Sequence, residues 1–529
     1  MKRSMIVLGI FVVALLAVLG SYILGNGGNL EPLLTQMRQG NYTGSRNATV
    51  QLLGILETGD LDETRRKTVI SAMASALGDP KTSDAVKSVL ATDVRSKPVL
   101  EHALRHGSTA ARLNAAEALS ELAKAGHPGM VEQAAAELSQ LVTHESPAVR
   151  AQAIRALAAL GDPAVPVLVR SLTLDPADAR NTVLVQDAGA GLARSPDAAM
   201  PHLLEALSSD DPNRQANAAV VLRLVGPEHG KQALGRLVEL LKSENDHVRA
   251  GVIETLGSYG SAARGAMDDL IDMLSEPEHF FPAVVAVRSI GPTQQDAPEL
   301  TAAFKFADSE NKRRELALTL VQIGWPSYAV AVDALDHPDQ AVRHGACVTL
   351  STLLTAAPEM DYSTAVEKLT ALVRKGPLAE PAAEALGQLH GNAKPAVPAI
   401  IEQLRKKLAD KELSRNLYTV GQLGQALAKI GDLPTVLGLL KKDNAKMQVA
   451  ALGVIGQMEP NALDAAEPVL AMLKSDQAAV RFAALRALTE LKGKMDQYVP
   501  AVEPLLSDPE PVVRSAATKT IESMRSKSF

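Results

Sequence analysis

The chain is predicted to be all-α: a right-handed α-solenoid of about fourteen helix pairs, preceded by one transmembrane helix. Three observations predict it. A helix–turn–helix unit recurs along the sequence, the apolar content is alanine, leucine and valine with only 3% aromatics, and residues 5–24 carry no charged side chain. A core of small aliphatics is thin, and it suits helices that bury their edges against immediate neighbours rather than around one large centre.

The N-terminal residues come first. Lys2 and Arg3 precede Met5 to Leu24, in which Ser21 and the Tyr22 hydroxyl are the polar groups. Twenty residues at about 1.5 Å each span the roughly 30 Å hydrocarbon core, and a cleavable signal peptide would need a shorter apolar run. The next basic residue is Arg38, so the positive-inside rule keeps residues 1–4 in the cytoplasm and sends the rest outside. The expectation is a single-pass membrane protein, in the inner membrane if the host has two membranes, with its array extracytoplasmic or periplasmic. Residues 25–46 include Gly25-Asn26-Gly27-Gly28-Asn29 and read as a flexible linker, and the solenoid is expected over 47–529.

The repeat is clearest from Ser146 to Leu172. Counting from Arg150, small and apolar residues fall at offsets of three, six, seven and ten, one stripe of a helix. Gly161 ends that helix, Asp162-Pro163 turns the chain, and Pro166 enters the next helix where a missing N–H costs little. The anchor position of Arg150 recurs at Lys67, Arg112, Arg249, Phe280, Arg313, Arg343, Val420, Gln448, Arg481 and Arg514, with more degenerate copies at Val185, Arg214 and Ala379. Adjacent anchors lie 28 to 45 residues apart, the period of stacked helix pairs. The spacing stretches between Ala356 and Asp432, where Arg405-Lys406-Lys407 sits on a helix. Segment Lys81 to Lys97 reads as a long, irregular connection.

Val149-Arg150 through Gly161, Val248-Arg249 through Gly260 and Val480-Arg481 through Leu491 follow Val-Arg-x-x-Ala-x-x-Ala-Leu-x-x-Leu-Gly, a pattern that resembles HEAT repeats. Asp508-Pro509 and the Ala-Val-Pro helix starts at 164–166 and 396–398 are similar to the short bacterial subtype related to phycobilin lyases. The resemblance implies stacked helix pairs from about Asn47 to Met524 and leaves function open, since such folds host scaffolds, adaptors and a few enzymes.

Chemistry is expected to be absent. A net charge of −6 lacks the basic footprint of duplex binding, and a single cysteine, Cys347, permits no intramolecular disulfide. Cys347 borders the apolar stripe and reads as a small buried hydrophobe. HEAT-type deoxyhypusine hydroxylase holds two irons through several His-Glu pairs, whereas here the pair occurs once, at His144-Glu145. His102 and His106 share a helical face without a third ligand, so no metal, cofactor or small-molecule substrate is expected. The repeated arginines read as register-holding groups, each paired with an acid or carbonyl of the neighbouring repeat. Function is placed on the opposite stripe of each second helix, at offsets of one, five and eight from the anchor. That stripe carries Glu117, Arg155, Glu254, Arg288, His344, Phe482, Arg486 and Lys519, expected to line the concave face and to bind protein partners. The expected function is a membrane-anchored, non-catalytic scaffold or adaptor; the alternative is a phycobilin-lyase-like or other cofactor-handling enzyme.

Overall fold

A computed structural model describes residues 29–39, 41–58, 61–125, 129–142, 147–356, 360–411, 413–442, 444–458, 462–491 and 496–526. All regular structure among them is helical, and the chain divides into two compact units, Met1–Asp269 and Leu270–Phe529. In each unit the helices alternate between two layers.

In the first unit, the layer that carries the anchors contains α1 (Tyr42–Thr58), α2 (Ser83–Leu90), α3 (Thr109–Lys124), α4 (Pro147–Leu160), α5 (Ala179–Arg194), α6 (Pro212–Val225) and α7 (Asp246–Ser258), each packed on the next. In the second unit it contains α8 (Phe280–Ile290), α9 (Glu310–Ile323), α10 (Gln340–Leu353), α11 (Ala379–Gln388), α12 (Leu413–Ile430), α13 (Ala445–Gln457), α14 (Ala478–Glu490) and α15 (Pro511–Ser526). Shorter helices, many opened by a 3₁₀ turn, form the partner layer between them. Prolines such as Pro166, Pro298 and Pro500 stand in the first turn of these helices, where their fixed φ is already helical.

The cores are as thin as the composition predicts. Along α7, Val248, Val252, Ile253 and Leu256 are buried, and along α14 Val480, Ala484, Leu485 and Leu488. Gly345 shows why some of these positions are small: an added Cβ would stand 2.1 Å from Cγ of Phe304, so α10 and the fully buried Phe304 ring meet only because no side chain intervenes.

Polar ties recur with the repeat. Side-chain N-caps at Asp211, Asn245, Ser309, Asp339 and Asn444 satisfy the first N–H groups of α6, α7, α9, α10 and α13. The anchor guanidinium then reaches back over its own interhelical turn. Arg313, Arg343, Arg481 and Arg514 donate from Nη1 to the carbonyls of Ala307, His337, Ser475 and Asp508 at 2.6–2.9 Å, and Arg249 does the same to Ser243. Each acceptor lies six residues before its donor. The arginines therefore fasten the turn that leads into their own helix, through carbonyls, and Arg481 also reaches Asp508 in the turn before α15.

The same geometry corrects the degenerate registers. Gln215, rather than Arg214, donates to the carbonyl six residues back, at Ser209, and Asn181 does so to Asp175, four residues ahead of Val185. Lys67 lies on Glu63–Leu77, which packs in the partner layer, while α2 occupies the anchor layer within the segment expected to be irregular. An amide can replace a guanidinium in this role.

Ties between repeats come from elsewhere. Asn217 donates from Nδ2 to the carbonyls of Leu172 and Leu174 at 2.8 and 2.7 Å, and Asn114 donates to Leu77 at 2.8 Å. Asn217 is 3% exposed. Asn217→Ala should therefore lower the unfolding free energy of the first unit by about 1–2 kcal/mol, read from denaturant titration, because a buried and a part-buried carbonyl lose their donor.

The N-terminal expectations need one correction. Among the described residues no helix is long and apolar enough to cross a membrane, which overturns the single-pass membrane localisation. The physical reason is length and amphipathicity: α12, with 18 residues, spans only about 27 Å and carries Asn416, Gln422, Gln425 and Lys429. The segment expected to span, residues 5–24, lies outside the described residues, as do residues 1–4 and His144-Glu145. Helix Glu31–Gln39 and the start of α1 occupy part of the segment 25–46 expected to be a linker, with Leu33, Leu34 and Met37 buried.

Candidate functional site

The outward stripe of the anchor layer is the candidate site, and the structure divides it into tied and untied stretches. In the first unit, Glu117 of α3 pairs with Lys87 of α2 at 2.8 Å, Arg155 of α4 with Asp187 of α5 at 2.9 Å, and Glu254 of α7 with Arg223 of α6 at 2.9 Å. In the second unit, Arg288 of α8 pairs with Glu315 of α9 at 2.7 Å, and Nε2 of His344 on α10 lies 4.0 Å from Glu310. Burial, with Arg313 nearby, holds the His344 imidazole below its usual pKa. Consecutive helices bring the charges of this stripe opposite one another, so five of the eight expected residues lie in contacts that bridge adjacent repeats. Exposed pairs of this kind contribute about 0–1 kcal/mol each and order the face more than they stabilise it.

The other three come together. Phe482 and Arg486 of α14 and Lys519 of α15 line one cavity of 460 Å³, and Phe482 and Arg486 also line a second of 340 Å³ against α13. The two share Glu490, so they form one groove across α13, α14 and α15. Its floor is small, with Gly453 and Gly456 on α13, Ala483 on α14 and Ser515 and Ala516 on α15. Val512, 61% exposed, and the half-buried Phe482 ring supply apolar surface. Arg486 and Lys519 are exposed and form no ion pair with a described residue.

A larger cavity of 760 Å³ in the first unit is lined by Lys87, Glu117, Glu121, Gly161, Arg194 and Ser195 among others. Its charges are largely spent, on the Lys87–Glu117 pair and on the bond from Arg194 Nη1 to the Ala158 carbonyl at 3.0 Å. Two stripe residues escaped the sequence reading: Phe281 and Val285 of α8, 44% and 48% exposed. They stand one and five residues beyond the Phe280 anchor, so the offsets that found Arg288 also contained them.

No group of three metal-ligating side chains occurs among the described residues. The rings of His102 and His106 meet at a tilt of 53° with centroids 4.9 Å apart, and burial together with the charge of His106 lowers the pKa of His102. Cys347 is fully buried, and burial pushes its thiol up to about 12. It should resist a maleimide dye at pH 8 in the native protein and react in denaturant, since the thiolate is the reactive form.

Two layers of helix pairs, anchored turn by turn and presenting an open groove rather than an enclosed chamber, define an α-helical repeat protein. Its family follows from the sequence match: residues 96–186, 200–291 and 433–522, together more than half of the chain, match the HEAT repeats family, and the chain belongs to it. Solved structures similar to it include importin beta crystallised in an ammonium sulfate condition, at 11% identity over 97% of this chain and 86% of that one, with a TM-score of 0.36. A Kap121p mutant aligns at 12% identity over 94% and 75% of the two chains, with a TM-score of 0.40. No curated protein matches.

Proposed function

We propose that this HEAT-repeat chain is a scaffold or adaptor that binds protein partners along the outward stripe of its anchor layer, without chemistry of its own. The groove across α13, α14 and α15 supports the reading, because it joins exposed apolar surface to two cations that form no ion pair with a described residue. Rims of polar groups around small apolar floors suit a peptide or helix of another protein better than a small substrate, which wants an enclosed pocket.

Photo-crosslinking tests it. A crosslinking residue placed at Phe281 or Arg486 should capture discrete protein partners, whereas the same residue at the exposed Lys67 of the partner layer should not. Absence of protein adducts from both stripe positions would refute the reading. A pigment or cofactor retained by the purified chain would favour the lyase-like alternative.

A further inference from the structure

We infer that the groove across α13, α14 and α15 takes an acidic peptide segment of a protein partner, one that also carries an aliphatic or aromatic side chain; the inference rests on the scaffold reading and gives the partner its chemistry.

Charge comes first. Arg486 projects from the helix shared by both cavities and Lys519 from its neighbour α15, and both lack an ion pair with any described residue. Elsewhere on the same stripe, cations are answered from the next repeat: Arg155 by Asp187, Arg223 by Glu254, Arg288 by Glu315. Here the sequence departs from that pattern. Beside Arg486 in the same cavity the following helix places Lys519, a second cation, and Glu490 is the one acid that the two cavities share. An incoming carboxylate would supply what the repeat omits.

Shape decides between an acidic peptide and a polyanion. A Cβ added at Gly453 would meet nothing within 4 Å, so α13 leaves open space beside the Phe482 ring, enough for one apolar side chain. A single aromatic and two cations next to Glu490 make a poor track for a nucleic acid, which needs repeated phosphate contacts and stacking platforms. An alternating acidic and apolar segment matches the groove on both counts.

The test uses the full chain and a fluorescein-labelled peptide of repeated Glu-Leu-Ser, with Lys-Leu-Ser and oligothymidylate as comparisons, followed by fluorescence anisotropy. Glu-Leu-Ser should bind in preference to both, and more weakly as salt rises. The double variant Arg486→Glu, Lys519→Glu should lose about tenfold or more in affinity, the scale of roughly 1.4 kcal/mol. Gly453→Leu should lose a similar factor by filling the open space. Both variants alter exposed residues, and unchanged thermal melts would show that they fold. Equal binding of the basic peptide, preference for oligothymidylate, or wild-type affinity in both variants would overturn the inference. If those results came with protein crosslinks from Phe281, the scaffold reading would survive alone; with no crosslinks from either stripe position, both would fall.

Discussion

Replacing Phe304 with alanine is expected to destabilise the unit Leu270–Phe529 by about 3–5 kcal/mol, the range for removing a fully buried aromatic ring. In a chain with 3% aromatics, one ring fills space that small aliphatics cannot. Phe304 also meets the bare backbone of Gly345, so the reciprocal change, Gly345→Ala, should cost about 1–3 kcal/mol through overpacking. The two should not add: in a Phe304→Leu background the added methyl has room, and Gly345→Ala should cost much less there. Urea denaturation of the four variants measures the coupling. Additive costs would show that the ring and the glycine do not depend on each other.

The second large effect belongs to Arg481 and Asp508. Nε and Nη2 of Arg481 donate to the two carboxylate oxygens at 2.7 and 2.8 Å, a bidentate pair that joins α14 to the turn before α15. The Asp508 side chain is only 2% exposed. Asp508→Ala should cost about 2–3 kcal/mol, less than the roughly 3–5 kcal/mol for orphaning a fully buried charge, because Arg481 keeps its bonds to the carbonyls of Ser475 and Asp476.

A pH dependence follows with a definite sign. The hydrogen bonds from Arg481, opposed by desolvation and helped by the Glu510 N–H, hold the Asp508 carboxyl below the usual carboxylate range. A group whose folded pKa is depressed contributes stability that is fully present above its unfolded value, about 3.9, and is lost as pH falls through the folded value. The stability gap between wild type and Asp508→Asn should therefore stay constant from pH 7 to about 5 and close below about 4. Thermal melts across that range measure it, and a gap that widens in acid would contradict the pairing.

Some of this was legible in the sequence and some was not, for identifiable reasons. Periodic apolar residues, Gly161-type helix ends and the Val-Arg anchor determine helices, turns and a two-layer repeat by themselves, because each depends on contacts a few residues apart. Arg343 could be assigned a structural role in the same way, since its acceptor is only six residues back. Register failed where the anchor was Gln215 or Asn181, amides that make the same bond without the same letter. The candidate stripe was also legible as eight positions, but not their division. Whether Arg155 is paired and Arg486 finds no ion pair among the described residues depends on which residues the next repeat brings near, Asp187 in one case and Lys519 in the other, and that juxtaposition exists only once the helices stack. Sequence alone thus determined the repeat; tertiary packing decided which charges on the candidate stripe neutralise one another, because attraction acts through a few ångströms of space rather than along the chain.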